Sequence, residues 1–247
     1  MADLTILHTN DLHGKLLQHT ADRIASEKAA SGKCLLLDAG DAVSSGNIYF
    51  RPGGEPILVR LSELGYNAMA MGNREFHFMA TGLRSKVRLA SFPILSANIR
   101  SEKVDIRPSV VPSILLEVNG IRVAIFGLSV PMITKRMLAS KASPFWFEDP
   151  VSAAKSILPT LRDQADLVIA LTHIGLRTDV ELAGAVPGID LIVGGHTHAV
   201  LNEPVIVNET SIVQAGSWGR YLGKVEIDMT PNGRPAISTE LIDLKLK

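Results

Sequence analysis

Two histidines that are one residue apart, His196 and His198, are the strongest chemical signal in the chain. They follow an apolar run at residues 189–193, which is typical of a buried strand, and a glycine pair that turns the backbone sharply. In extended backbone, the side chains of residues i and i+2 point the same way. Both imidazoles can therefore face one pocket, as metal coordination requires, although a solvated loop that happens to hold two histidines is the alternative.

Four further predicted strands are also followed directly by polar side chains. They are residues 4–8 with Asp11 and His13, 33–38 with Asp41, 67–71 with Asn73, and 166–171 with His173. Taken singly, each group would be explained as a turn residue, a helix cap or a loop histidine. Because ligands of α/β sheets bind at the carboxyl ends of the strands, the recurrence at five strand ends predicts one shared site.

The chemistry of the seven groups indicates the kind of site. Two carboxylates, one amide and four imidazoles are too many for one tetrahedral ion, but they suit two ions that share a bridging group. A carboxylate can bridge through its two oxygens, so Asp41 and Asp11 are the candidates. A nitrogen and oxygen set without thiolate suits Zn, Mn, Fe(II) or Co. Two ions about 3.5–4 Å apart can activate a bound water and hold two oxygens of a phosphoryl group.

Composition limits the class of protein that carries this site. The chain has 247 residues, of which 46% are hydrophobic, and this is ample for the core of a folded α/β protein. Lys and Arg number 25, as do Asp and Glu, so no excess charge attracts nucleic acid or an anionic membrane. The single cysteine, Cys34, excludes an intrachain disulfide. A small molecule is the expected partner, and it would be a phosphorylated one if the site holds two ions.

The elements that must position the site alternate between strand and helix patterns. Helices are predicted at residues 21–30 after a Thr20 N-cap, from Pro56 to Gly65, at 78–89, at 150–164 with a kink at Pro159, and at 178–186. A strand is predicted at 93–97, a hairpin around Asn119-Gly120, and antiparallel strands with a turn at Pro231-Asn232-Gly233 in the tail. This order favours two packed, partly parallel sheets with helices outside.

No membrane or export signal is found in the sequence as given. The N-terminus lacks a basic region followed by an apolar stretch, and no run reaches the roughly 18 apolar residues of a membrane span. The expected location is therefore cytoplasmic, or periplasmic or extracellular if the natural chain carries a leader that this sequence lacks.

The order of these groups resembles the dinuclear metallophosphoesterase (calcineurin-like) superfamily, and Thr9-Asn10-Asp11-Leu12-His13-Gly14 is similar to its 5'-nucleotidase branch. The resemblance implies one catalytic domain over residues 1–247, folded as a four-layered α/β/β/α sandwich. It also implies the two metal sites. Asp11, His13, Asp41 and His198 would hold one ion, and Asn73, His173 and His196 would complete the second, with Asp41 as the bridge.

The third motif of this family departs from the usual pattern. Where the family has Gly-Asn-His-Glu, this chain has Gly72-Asn73-Arg74-Glu75, and His77 stands where an acidic residue usually orients the missing histidine. Arginine cannot act as a general acid near pH 7 because its pKa exceeds about 12, but it offers a planar donor fork to phosphate oxygens. His77 is a candidate for the proton role if a helical turn brings it to the site, and otherwise it packs beside that turn.

Nucleotidases of this family usually carry a further, C-terminal nucleotide-binding domain, and we expect this chain to lack it, which would be a second departure. Residues 218–221, Trp-Gly-Arg-Tyr, or the loop at 44–54 could form a reduced substrate wall, with loop packing as the alternative. A partner chain that supplies the nucleoside-binding domain is a further alternative.

The resemblance implies a metal-dependent phosphoester hydrolase of the phosphomonoesterase, nucleotidase or cyclic phosphodiesterase type. A hydroxide activated by the dinuclear centre would attack phosphorus, and Arg74 would neutralise developing charge. The alternative from another class is a module that binds metal or phosphate with weak or no catalysis, because its third motif is altered.

Overall fold

The computed structural model describes residues 2–230 and 235–245. Its strands are β1 (Leu4–Thr9), β2 (Cys34–Asp38), β3 (Ala68–Ala70), β4 (Ile94–Leu95), β5 (Ile99–Ser101), β6 (Ser113–Val118), β7 (Ile121–Ser129), β8 (Phe145–Phe147), β9 (Leu167–His173), β10 (Leu191–Val193), β11 (Val205–Val207), β12 (Thr210–Val213), β13 (Tyr221–Met229) and β14 (Pro235–Asp243). Its α-helices are α1 (Gln18–Ala30), α2 (Pro56–Leu64), α3 (Ala80–Val87), α4 (Pro150–Arg162) and α5 (Leu176–Ala185), and a 3₁₀ turn covers Leu138–Lys141.

Two six-stranded mixed sheets form the centre of the molecule. The first has the order β14-β13-β1-β2-β3-β4, with β1 to β4 parallel and β13 antiparallel to both of its neighbours. The second has the order β11-β12-β10-β9-β7-β6, with β7, β9, β10 and β12 parallel. A two-stranded pair, β5 with β8, was not predicted. The parallel strands of each sheet end at one edge, so the residues that follow these strands lie close together there.

Alternating side chains build three apolar layers, which confirm the α/β/β/α sandwich. On β1, Ile6 packs between the two sheets, whereas Leu7 packs under α1, α2 and α3. On β9, Ile169 faces the other sheet and Val168 packs under α4 and α5. A strand that is buried on both faces is continuously apolar, and this explains why these segments lack a polar alternation.

The start of the first helix differs from the prediction. Helix α1 begins at Gln18, and its N-cap is Leu17, which caps without a side-chain hydrogen bond. Thr20 is buried inside the first turn, so the predicted Thr20 cap is wrong. The helices α2 and α4 begin as predicted, with Pro56 and Pro150 in the first turn, and α4 continues through Pro159.

The tail forms antiparallel hairpins, as predicted, but one of its strands also joins the parallel sheet. Strand β12 pairs antiparallel with β11 on one side and parallel with β10 on the other. Strand β13 pairs antiparallel with both β14 and β1, which ties the end of the chain to its beginning. The predicted turn at Pro231-Asn232-Gly233 lies outside the described residues. Among the described helices, none is both long and apolar enough to cross a bilayer.

A buried histidine in β1 makes the stability of this fold sensitive to acid. His8 lies over Gly223 of β13, where any Cβ would collide with its ring. Burial lowers the pKa of His8 from 6.5 to about 4. Between these two pH values the unfolded chain binds a proton that the native protein excludes, so stability falls as the pH is lowered through this window.

We therefore expect His8→Leu to reduce the loss of unfolding free energy between pH 7.5 and pH 4.5 by up to about 3 kcal/mol. Urea denaturation of both proteins at the two pH values measures the difference. An identical loss in the wild type and the variant would contradict this assignment.

Candidate metal centre

Seven candidate ligands from both sheets meet at one edge of the sandwich. They follow β1, β2 and β3 of the first sheet and β9 and β10 of the second, where His173 is the last residue of its strand. They are Asp11, His13, Asp41, Asn73, His173, His196 and His198. Contacts between the residues of the two sheets include His198 Nε2 to Asp11 Oδ1 at 3.3 Å and His173 Nε2 to Asp41 Oδ1 at 3.4 Å. The topology therefore brings the predicted residues together.

The first group of ligand atoms consists of Asp11, His13 and His198. The two Nε2 atoms of His13 and His198 lie 3.0 Å apart, and Asp11 Oδ1 lies 3.8 Å from His13 Nε2. Asp11 Oδ1 is buried and has no hydrogen-bond partner among the described residues. An unpaired buried carboxylate oxygen beside two imidazole nitrogens is costly unless it binds a cation, so the donor set fits a metal ion.

The second group consists of Asp41, Asn73, His173 and His196. Asn73 Oδ1 lies 3.3 Å from His173 Nε2 and 3.1 Å from His196 Nδ1. His173 Nδ1 donates to the carbonyl of Ala39 at 2.8 Å, which leaves Nε2 to face Asp41 and Asn73. A backbone hydrogen bond of this kind fixes the tautomer and the ring orientation of metal-binding histidines.

The charges of the second group also favour a cation. Burial alone would lower the pKa of His173, but its hydrogen bond to Asp41 and the charges of Asp41 and Asp11 outweigh burial and raise the pKa to about 9. For Asp41 the effect of burial has the opposite sign and would raise the pKa. Its contacts with His173 and with the backbone N–H of Arg74 outweigh burial, so the pKa of Asp41 is lowered. Carboxylates that hold a proton on a buried imidazole create the same field that attracts a divalent cation.

Several residues of both ligand groups have strained backbone. Positive φ angles occur at Asp11 (53°), His13 (49°), Asp41 (56°), His196 (77°) and His198 (55°). Each left-handed non-glycine residue costs about 1–3 kcal/mol and persists only where the surrounding structure enforces it. Concentration of such residues among the candidate ligands is typical of a functional site.

The glycine pair before His196 is required for space. Neither Gly194 nor Gly195 has a positive φ angle, so a left-handed backbone does not account for them. A Cβ at Gly194 would lie 2.5 Å from Asp179 Oδ2, and one at Gly195 would lie 2.7 Å from the Ala39 carbonyl. The pair lets the strand end pass close to β2 and α5.

Arg74 lies beside the second group, whereas the contacts of His77 are with Met79, Phe78 and Phe50. The Arg74 backbone N–H donates to Asp41 Oδ1 at 2.7 Å, its Nε lies 3.6 Å from Asp41 Oδ2, and its Nη1 donates to the carbonyl of Ser44 at 2.9 Å. His77 accepts from Met79 N–H at 3.0 Å. Its ring stacks on Phe78 and meets Phe50 edge-on. Since α3 begins only at Ala80, no helical turn carries His77 toward the candidate ligands.

Two positioning residues were not found by sequence reasoning. Glu75 Oε2 accepts from the N–H groups of Asp41 at 2.8 Å and Gly72 at 2.9 Å, and Oε1 accepts from Val43 N–H at 3.0 Å. Asn10 Nδ2 donates to Asp11 Oδ2 at 2.8 Å. Glu75 lies in the third motif and Asn10 beside the first, and this was the only signal that could have marked them.

Glu75→Gln is expected to weaken Mn²⁺ binding by about 10–100-fold, as is usual when a group that orients metal ligands is lost. An amide nitrogen would replace one of the oxygens that accept the three N–H bonds, so the loop that carries Asp41 would shift. Calorimetric titration with Mn²⁺ measures the change. Glu181→Gln, on an exposed face of α5, is the matched control, and equal affinities in the two variants would contradict the positioning role.

A buried lysine fastens the segment that contains Arg74. Lys86 is fully buried in α3, and its Nζ donates to the carbonyl of Gly46 at 2.6 Å and to that of Arg74. Burial lowers the pKa of Lys86 to about 8. Lys86 thereby links the loop that contains Gly46 to Arg74.

Comparison with known proteins places this geometry in a family. The model of the calcineurin-like phosphoesterase family matches residues 4–200. The chain is 34% identical to the trifunctional nucleotide phosphoesterase protein YfkN of Bacillus subtilis over 94% of the chain and 18% of that protein. It is 31% identical to a 5'-nucleotidase of Vibrio cholerae over 99% of the chain and 52% of that protein. A crystal structure of a 5'-nucleotidase precursor from Thermus thermophilus superposes with a TM-score of 0.82 and 27% identity, over 97% of this chain and 54% of that one.

These curated relatives are longer than the chain, which spans about half of the Vibrio cholerae protein and less of YfkN. The family model covers most of the described residues, including every candidate ligand. The resemblance inferred from the motifs is therefore confirmed. The chain belongs to the calcineurin-like phosphoesterase family.

Proposed function

We propose that the chain is a metal-dependent phosphomonoesterase that acts on nucleotides. The observation that carries the proposal is the meeting of seven nitrogen and oxygen donors at the edge shared by the two sheets. The names of the relatives, 5'-nucleotidase and nucleotide phosphoesterase, support a nucleotide as substrate.

The donors divide between two divalent ions, for which Mn, Zn, Fe and Co are the candidates. Asp11, His13 and His198 would hold one ion, Asn73, His173 and His196 would hold the other, and Asp41 would contact both. When bound, the two ions supply a water of lowered pKa and positive charge for the phosphoryl oxygens. Asp41 is the bridge that the family resemblance implies, and its Oδ1 lies 3.4 Å from His173 Nε2.

Arg74 orients the phosphoryl group in this proposal. Its side chain is about one-third exposed (32%) beside Asp41, and Nη2 makes no hydrogen bond within the described residues. A guanidinium keeps its charge at every physiological pH, so it stabilises negative charge on phosphate without donating a proton to the leaving group.

Activity of the metal-reconstituted protein tests the proposal. The chain is stripped of metal with a chelator, loaded with Mn²⁺ and assayed on p-nitrophenyl phosphate, nucleoside 5'-monophosphates and 2',3'-cyclic nucleotides. We expect Mn²⁺-dependent release of phosphate from the monoesters. Tight Mn²⁺ binding without turnover of any ester would instead favour a module that binds metal without catalysis. This is the second candidate because Arg74 stands where the family has a histidine.

A further inference from the structure

A cavity of about 580 Å³ adjoins the candidate metal centre on the side of β13. Its wall includes Lys15, Leu17, Trp218, Arg220, Tyr221 and Lys245. We call it the Trp218 cavity. Its volume lies within the range of about 300–1,000 Å³ that is usual for small-molecule sites, and it is too large for a single phosphate.

Trp218 is the partition between this cavity and the first group of ligands. Its ring centroid lies 4.8 Å from that of His13 and 6.3 Å from that of His198. Its backbone N–H donates to the carbonyl of Asp11 at 2.9 Å, so the partition is fixed to the ligand loop. A molecule bound at the metal centre therefore reaches the Trp218 cavity across the width of one indole ring.

The indole is held in a strained and half-exposed position. The φ angle of Trp218 is 63°, which is unusual for a bulky residue, and 45% of the residue is exposed. A large aromatic residue gains little from packing at this exposure, so packing alone does not explain the strain.

The charge of the cavity is positive. Lys15 Nζ lies 4.2 Å from the centre of the Trp218 ring, and Arg220 and Lys245 complete three cationic side chains. None of the described residues that line the cavity is acidic, and Asp243, 3.9 Å from Arg220 Nε, lies outside the lining. The first turn of α1, which contributes to the wall, also lacks an acidic residue. Three cations and an uncompensated helix N-terminus favour an anion.

We propose that the Trp218 cavity binds a second phosphate group of the substrate, so that the preferred substrates are nucleotides with a phosphate beyond the one that is removed, such as nucleoside 3',5'-bisphosphates. The proposal deepens the proposed function and rests on it for the position of the first phosphate. The three cations contact the second phosphate, and the exposed part of the Trp218 indole contacts the nucleoside between the two phosphates.

Two measurements on the full chain test the proposal. In the Mn²⁺-loaded enzyme we expect kcat/KM for adenosine 3',5'-bisphosphate to exceed that for AMP by about 10-fold at low salt, and the ratio to fall toward one in Lys15→Met/Arg220→Met.

Independently of turnover, Trp218 fluorescence in a Trp146→Phe background reports binding to metal-free protein. We expect the bisphosphate to bind about 10-fold more tightly than AMP, and this difference to vanish in the double variant.

Lys135→Met is the matched control because Lys135 Nζ lies 4.0 Å from the centre of the Trp146 ring, remote from this cavity. The control should keep the full preference for bisphosphate. Equal binding of bisphosphate and AMP, or a preference that persists in the double variant, would overturn the proposal. If no ester is hydrolysed but the fluorescence difference is seen and is lost in the double variant, the subsite stands and only the hydrolase function fails.

Discussion

Asp41→Asn is expected to lower the Mn²⁺-dependent hydrolysis of p-nitrophenyl phosphate by about 10³-fold or more, since a metal centre supplies several kcal/mol of transition-state stabilisation. Asp41 lies between His173 and Arg74 and is the proposed bridge between the ions. An amide keeps the shape of the side chain but removes its negative charge and one of its two ligand oxygens. The variant should therefore lose the second ion first and the reaction with it.

The loss must be separated from unfolding. Thermal denaturation of Asp41→Asn without metal should show a folded protein, and Asp105→Asn, at an exposed position paired with Arg107, serves as the matched control with unchanged kcat/KM. If Asp41→Asn kept kcat/KM within about 10-fold of the wild type at saturating Mn²⁺, the role of Asp41 as a bridge would be refuted.

Arg74 should make the enzyme selective for good leaving groups. Because arginine does not release a proton near pH 7, the wild type is expected to hydrolyse aryl phosphates well and alkyl phosphates poorly. Replacing Arg74→His together with His77→Asp restores the pair that is usual in the family. This double variant should gain about 10²-fold or more in kcat on alkyl phosphates such as AMP, because general acid catalysis is worth about 10²–10⁴-fold.

Rates plotted against the pKa of the leaving group give the measurement. The wild type should show a steep dependence and the double variant a shallow one. His77→Asp alone is the control, since it changes the residue that packs against Phe50 and Phe78 but leaves Arg74 in place, so no imidazole is available as the general acid. If the wild-type rate did not depend on the pKa of the leaving group, this prediction would be refuted.

The layers and the location of the candidate site were predictable because both follow from short-range patterns. Buried parallel strands appear as apolar runs, and polar side chains after them must meet at the carboxyl edge. Asp41 and His173 are far apart in sequence, yet each is placed by its own strand end. The family resemblance supplied the four-layered sandwich and the division of the ligands between two ions.

Other features depend on contacts that no local pattern encodes. Thr20 suits an N-cap by residue type, but its side chain is buried, and α1 begins two residues earlier. Strand β12 joins β10 in parallel only because the second sheet offers a free edge there. His77 is held by Phe50 from a loop that precedes it by 27 positions, so its spacing from Arg74 was no guide to its orientation.

The positioning roles of Glu75 and Asn10 were hidden for a different reason. Glu75 accepts from backbone N–H groups, and Asn10 donates to the backbone carbonyl of Gly216 as well as to Asp11, and backbone groups are present at every residue. Only the folded loops show which of them need a partner. The left-handed backbone at Asp11 and Asp41 likewise arises from the loops that surround these residues.

Anomalous diffraction from crystals of the Mn²⁺-loaded protein tests the central claim most directly. We predict two peaks about 3.5–4 Å apart, with Asp41 in contact with both, the imidazoles of His13 and His198 at one, and those of His173 and His196 at the other. A single peak, or peaks away from these side chains, would contradict the account.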